Sequence, residues 1–549
     1  MTTALRQAPA PEKHRLPRCN WGAVTALTLV GLVFVPLLPG LYWALGPSFK
    51  LDVWQALLVD PQWPQAVSAT LMSALLGTLL AGLITAGLAT RLYPSPTWQR
   101  LQQRLPVLLS VPHVAFAVGL FFLIAPSGWL ARVTGHFLSW ASPPDWVTVQ
   151  DPYGLSLALA LALKESWFLL WVLAALMGEQ AVTRQLAVAR SLGYSPAQTW
   201  RQVLWPLLLP RLRWPLAAAL AYSLSVVDMA LILGPGTPPT LAVLTWQWLS
   251  DPDTNVQAQG GAAALALLLL FGVISALACG VWWLLRRWRA YPSGQRRAAV
   301  PHPWPWQTPL LAISYAVLAV LVLWSVADSW FFPALWPDGL SWDAWRNANL
   351  APFWTTLWLA LVVSLLAMPL VLIWLEWGPQ RWNAVLYLPL IVPTLPLVAA
   401  QYAALLRLQL DATALALVWS HLLWVLPYML LTLVGAYRAF DARLMTSARA
   451  LGCSSLQACL RIKWPLLLRP MLTAWAVGFA VSVAQYLPTL FVGGGRFDTV
   501  TTEAVALSAG GSRQVLAVQA LLQVALPLAA FVLATVLARA WGRHHQGVR

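Results

Sequence analysis

Six polar side chains interrupt otherwise apolar runs in this chain of 549 residues. Lys164 and Glu165 stand in ALALKESWFLLW, Asp228 in SLSVVDMALIL, His421 in VWSHLLWVLP, and Gln485 and Tyr486 in AVSVAQYLPTLF. An ionisable group in such a run is expensive to bury, so it either lines the path of a polar solute or clamps neighbouring helices together. Successive residues on a helix point about 100° apart, so Lys164 and Glu165 cannot both face one cavity squarely. His421 occupies a place comparable to Lys164, because Trp424 and Trp167 follow them by three residues, and Gln485 and Tyr486 lie near the counterpart of Asp228. These six residues are the candidate translocation path. Bond-breaking chemistry has no comparable signal. The chain has four Lys (13, 50, 164, 463), none after a glycine, so a G-x-x-x-x-G-K-[ST] phosphate loop is absent. The seven His are scattered, and Cys19, Cys279, Cys453 and Cys459 form no C-x-x-C pair, so neither metal nor cofactor is expected.

The elements that must position these residues are membrane spans. Only 9% of the residues are charged and 59% are hydrophobic, where a soluble chain has about a quarter charged. Apolar segments of spanning length fall near 21–45, 65–92, 105–126, 153–178, 207–235 and 257–285. They recur near 307–328, 353–376, 383–406, 412–437, 466–493 and 513–539. The expected fold is therefore an all-α integral membrane protein of about twelve transmembrane helices in two tandem six-helix halves, 1–285 and 307–549. Between them RRWRAYPSGQRRAAVPHPWPW, residues 286–306, is basic and rich in Pro, as a linker would be. Basic residues up to Arg18 precede a first apolar run that reads as a retained span, since no small-residue cleavage site clearly follows it.

The net charge of +16 raises the question of nucleic acid, and its distribution answers it. With the N-terminus in the cytoplasm, the segments on that side hold 27 of the 34 Lys and Arg, while the opposite loops carry mostly Asp. That is the positive-inside pattern, with both termini cytoplasmic and no nucleic-acid groove.

The strongest repeat is polar. Aligned at an offset of 259, residues 184–209 and 443–468 are identical at 12 of 26 positions. Gly193 and Gly452 suit the left-handed residue that ends a helix. Ser195 with Gln198, and Ser454 with Gln457, then have the spacing of a capping box that starts a second short helix ending at Trp-Pro. Two helices meeting at a fixed elbow make a rigid knob on the cytoplasmic face, suited to docking. The same duplication pairs SATLMSAL at 68–75 with WTTLWLAL at 354–361, and Val-Pro at 111–112 with Val-Pro at 392–393.

This twin loop resembles the cytoplasmic EAA loop of binding-protein-dependent ABC importer permeases. The family pattern of Glu-Ala-Ala, Gly, Ile and Leu-Pro maps onto Ala187-Val188-Ala189, Gly193, Val203 and Trp205-Pro206, and again onto Thr446-Ser447-Ala448, Gly452, Ile462 and Trp464-Pro465. The fused two-half layout is similar to permeases associated with ferric iron and thiamine import. The resemblance implies a type I importer fold, two copies of a separate ATP-hydrolysing subunit under the loops, and an extracytoplasmic solute-binding protein. It further implies a bacterial inner-membrane location and a small-molecule substrate moved by alternating access. The docking residues it implies are Ala187, Ala189, Arg190, Gly193, Ser195, Gln198 and Pro206, with Thr446, Ala448, Arg449, Gly452, Ser454, Gln457 and Pro465 in the second copy. The family's acid is replaced by Ala187 and Thr446, and nearby arginines are its candidate substitutes. The rival classes are an ion-coupled secondary transporter of six plus six spans and a membrane-embedded transferase. The first would need coupling acids in the spans and a different cytoplasmic signature, and the second clustered His, Asp or Glu near an interface.

Overall fold

The computed structural model describes residues 21–287 and 307–544. Apart from Arg286 and Arg287, the expected linker lies outside the described residues, as do Cys19 and the basic residues up to Arg18. The described chain is helical save for its loops and one short antiparallel strand pair, Ala327–Asp328 with Gly339–Leu340. Nine helical segments among the described residues are long and apolar enough to cross a bilayer. A tenth is added if Ser455–Leu466 and Leu468–Ala484, bent by 79°, form one span. The molecule is thus an all-α integral membrane protein, with nine or ten such spans by length and composition among the described residues, against the twelve expected. Two expected spans are missing even from the higher count. Trp205–Ser225 carries Arg211, Arg213 and internal Pro210 and Pro215, and Thr394–Arg407 has only 14 residues.

Four expected spans are broken by extended backbone, and two of the breaks fall at the repeated Val-Pro. The segment 105–126 is two helices, Pro96–Ser110 and His113–Ile124, separated by extended backbone at Val111 and Pro112. The segment 383–406 likewise restarts at Thr394 after extended Val392 and Pro393. Proline has no N–H to donate and pushes the residue before it out of the helical region, so both helices stop there. The segment 466–493 breaks at Gln485, as 207–235 does at Val226.

Packing exchanges elements between the two ends of the chain. The N-terminal helices Trp21–Phe34 and Leu37–Leu45 lie against Ala351–Trp377 and Thr394–Arg407, while Gln307–Val326 lies against His113–Ile124. Backbones approach closely at both exchanges. A Cβ on Gly40 would run into the carbonyl of Ala400, and one on Gly119 would come within 2.7 Å of the Val317 carbonyl. Small residues let helices in lipid gain dispersion energy by such close approach.

Hydrogen bonds repeat as the sequence does. Thr70 Oγ1 accepts from Leu241 N–H at 2.8 Å, and Thr356 Oγ1 accepts from Val500 N–H at 3.0 Å. Gln150 N–H donates to Leu233 O and Ala412 N–H to Val492 O, both at 3.0 Å, each from a residue with φ of +54°.

Candidate functional site

Each polar loop is built as its residues demand. Helix Gln180–Ser191 ends in Leu192, and Gly193 follows at φ +75°. Tyr194 N–H donates to Ala189 O at 3.1 Å and Gly193 N–H to Arg190 O at 3.0 Å, a pairing that satisfies carbonyls the helix end would leave bare. In the second copy Ala442–Ala450 ends the same way, with Gly452 at φ +89° and the bonds Cys453 to Ala448 O and Gly452 to Arg449 O. Both capping boxes form. Ser195 Oγ accepts from Gln198 N–H at 3.3 Å and Gln198 Oε1 from Ser195 N–H at 3.2 Å, and Ser454 and Gln457 repeat this at 3.3 and 3.0 Å.

The short helices Pro196–Thr199 and Ser455–Ala458 continue into five-residue π-helical turns, Trp200–Leu204 and Cys459–Lys463. The following Trp-Pro supplies a reason. Pro206 and Pro465 cannot donate four residues back, and their rings would strike those carbonyls, so a wider turn relieves both problems.

The elbows expose the positions where the related motif has its acid: Ala187 and Thr446 face solvent, beside exposed Arg190 and Arg449. Ala189 and Ala448 are buried at 3% exposure, so their smallness serves packing. Leu192 and Leu451, next to the glycines, are 52% and 85% exposed. Beneath the first loop Trp200 meets Tyr93 and Trp205 at ring distances of 6.1 and 5.2 Å, in a cluster with Trp98, Met177 and Leu204. Beneath the second loop the contact is ionic: Lys463 Nζ lies 2.6 Å from Glu376 Oε2.

The six intramembrane candidates separate into two groups. Lys164 is buried, and its ammonium donates to Val111 O at 2.6 Å and approaches Leu108 O at 3.4 Å. Those carbonyls lie at the helix end created by Pro112, so Lys164 caps a broken helix whose dipole end favours a cation. His421 is fully buried, with Nδ1 3.0 Å from Ser482 Oγ and Nε2 3.0 Å from Thr489 Oγ1. Gln485 Nε2 donates to His421 O at 3.2 Å. These three side chains hold helices to one another.

Glu165, Asp228 and Tyr486 keep different company. Glu165 Oε1 lies 3.5 Å from His113 Nε2, whose ring packs on Tyr222 at 4.8 Å. Asp228 begins the short helix Asp228–Leu233, takes the N–H of Met229 at 2.9 Å, and lies within electrostatic reach of His113, Tyr222 and Tyr486. Tyr222 and Tyr428 are within reach of Glu165. Two carboxylates, an imidazole and three phenols, from five helices and the helix break at Tyr486, thus form one constellation with the chemistry of charge and hydrogen bonding. Among the described residues no group of three His, Cys, Asp or Glu could hold a metal ion.

Sequence reasoning missed His113, Tyr222, Tyr428, Glu376 and Lys463. For His113 a signal existed: it directly follows the repeated Val-Pro, so it opens a helix inside the membrane region rather than sitting within a continuous span.

No protein-family model matches the chain. The inner membrane ABC transporter permease protein YnjC of Escherichia coli K12 is 43% identical over 522 residues, covering 95% of this chain and 97% of that protein. The spermidine/putrescine transport system permease protein PotC of Haemophilus influenzae is 23% identical over 162 residues, 30% of this chain and 63% of PotC. PotC of Escherichia coli K12 matches at 23% over 121 residues, 22% of this chain and 46% of PotC. None of these names mentions ferric iron or thiamine.

Proposed function

Since the chain belongs to the inner-membrane ABC transporter permeases, we propose that its two elbow loops are the seats of two ATPase subunits and that its constellation of carboxylates and tyrosines lines the solute path. The protein is a multi-pass permease subunit of an ABC importer. The observation that carries the docking assignment is the recurrence of one elbow, with the same glycine, the same pair of helix-ending bonds and the same capping box, 259 residues apart. A single chain built from two halves joined by residues 286–306 would then take the place of a permease pair. Both termini and both loops would face the cytoplasm, and an extracytoplasmic binding protein would deliver solute to the other side.

In this scheme closure of the ATPases drives the knobs together and rocks the halves as rigid bodies, and hydrolysis lets them return. Of the path candidates, Glu165, Asp228 and Tyr486, with His113, would meet the solute. Lys164 and His421 would hold the walls, because their polar groups are already engaged by backbone and hydroxyls, and Gln485 would join them through its Nε2, although its buried Oε1 has no partner among the described residues. Two carboxylates support a solute with cationic or hydrogen-bond-donating groups, in keeping with the polyamines named for the PotC relatives.

The test is co-purification of the ATPase from detergent. The wild-type chain should bring it down, whereas Gly193→Pro and Gly452→Pro should insert into the membrane but lose it. Normal ATPase recovery with both variants would sink the docking assignment.

A further inference from the structure

Glu376 stands one residue from the C-terminal end of the helix Ala351–Trp377, where the helix dipole disfavours a carboxylate. It is nevertheless nearly enclosed, with side-chain exposure of 13% against 12% for Lys463. Three groups from two other elements converge on it. The Lys463 ammonium lies 2.6 Å from Oε2, the Tyr437 hydroxyl donates to the same oxygen, and the Cys459 thiol lies beside the carboxylate. The ammonium further sits 3.9 Å above the Tyr437 ring, and Trp464 Nε1 reaches the Tyr437 hydroxyl at 3.4 Å. Cys459, Lys463 and Trp464 all belong to the second elbow loop or its exit, and Tyr437 ends the helix Ala414–Arg438.

The equivalent positions at the first loop carry no such pair, and its ion pair, Glu179 with Arg211, is more exposed and joins the loop's entry to its exit helix. At the position 259 residues before Lys463 stands Leu204, fully buried among Leu92, Trp98 and Trp200. At the position 286 residues before Glu376 stands Thr90, whose hydroxyl bonds back to Ala86 O of its own helix at 2.8 Å. Apolar contact is non-directional and lets surfaces slide. A buried ion pair is directional, and separating it strands a charge, so its two partners move together.

We propose that Glu376 and Lys463 form the link through which the second docking loop moves the helix Ala351–Trp377, a positioning device with no counterpart at Thr90 and Leu204. The helix is a long lever of about 40 Å. It packs on Ala414–Arg438, Leu468–Ala484 and the N-terminal Trp21–Phe34, and near its far end Thr356 holds Val500 N–H. A push at Lys463 is thereby delivered to the opposite side of the membrane. The inference rests on the docking assignment above.

Its test uses the full permease with its ATPase in nanodiscs, followed by hydrogen–deuterium exchange with and without trapping by Mg-ATP and vanadate. In the wild type, trapping should change protection of residues 455–466 and of residues 370–377 together. Glu376→Gln, which leaves the loop's own residues untouched, should keep ATPase recovery and the response of 455–466 but lose that of 370–377, and Lys463→Met should likewise lose the response of 370–377. The exchanged pair, Glu376→Lys with Lys463→Glu, should regain it, and Tyr437→Phe, which spares the ion pair, should retain it. A full response of 370–377 in Glu376→Gln, or an exchanged pair no better than the single variants, overturns the link. Failure of the wild type to recover any ATPase would instead overturn the docking assignment.

Discussion

Replacing Gly452 isolates the elbow from everything around it. A Cβ at this position would meet nothing within 4 Å, so no steric clash accompanies the change. What remains is backbone strain, because Gly452 has φ +89°. For an L-residue held in the left-handed region that strain is about 1–2 kcal/mol, or roughly a five- to thirty-fold loss of the correctly formed elbow. Asparagine tolerates the conformation better than alanine, and a β-branched residue worse. ATPase binding, measured by titrating purified ATPase against immobilised permease in detergent, should therefore weaken in the order Gly, Asn, Ala, Val at position 452. Gly193, at φ +75°, should show the same order, and the two alanine substitutions should add, since the elbows are separate structures. The reasoning is refuted if Asn and Ala at position 452 bind alike, or if Ala binds as tightly as Gly. Either result would mean that the loop docks without needing its left-handed turn.

Three further outcomes are expected. Gly119→Leu should lower the thermal midpoint in detergent, by about 1–3 kcal/mol of overpacking, because Val317 fills the space a side chain would need; Gly272→Ala, where nothing lies within 4 Å, should leave it unchanged. Lys164→Met should destabilise by about 1–3 kcal/mol through the stranded carbonyl of Val111, with Lys164→Arg recovering part of the loss; wild-type stability in Lys164→Met would return Lys164 to the solute path. Asp151 is buried, which raises its pKa, but hydrogen bonds from Ser156 N–H, Leu155 N–H, Ser156 Oγ and Tyr153 N–H outweigh this and hold it below the ordinary carboxylate range. Its stabilisation is then present above the unfolded value of about 3.9 and lost as pH falls through the depressed native value. Asp151→Asn should lower stability at neutral pH and flatten the acid limb of a pH–stability profile, and an unchanged limb would exclude this role.

The elbows were legible because all their determinants are local. Glycine at the left-handed turn, Ser and Gln three residues apart and the Trp-Pro exit lie within about 14 residues, and each acts on its immediate neighbours. The broken spans were half legible. Val-Pro was recognised as a repeated pair, yet 105–126 and 383–406 were expected as continuous helices, because apolar composition measures length and not continuity. The intramembrane charges were legible as positions and not as roles. Lys164 and Glu165 are adjacent in sequence but serve different neighbours, Val111 O and His113, more than 50 residues away.

Composition and pattern by themselves therefore determined that this chain is a helical membrane protein carrying the same polar elbow twice, since bilayer partition and turn chemistry depend on residues read in order. Tertiary structure alone decided which intramembrane polar groups are already engaged, which lie near one another at Glu165, His113 and Asp228, and that an enclosed ion pair ties the second elbow to the helix Ala351–Trp377. The reason is energetic. A sequence shows that a charge must be compensated inside a membrane, but the compensating group comes from whichever helix packs beside it.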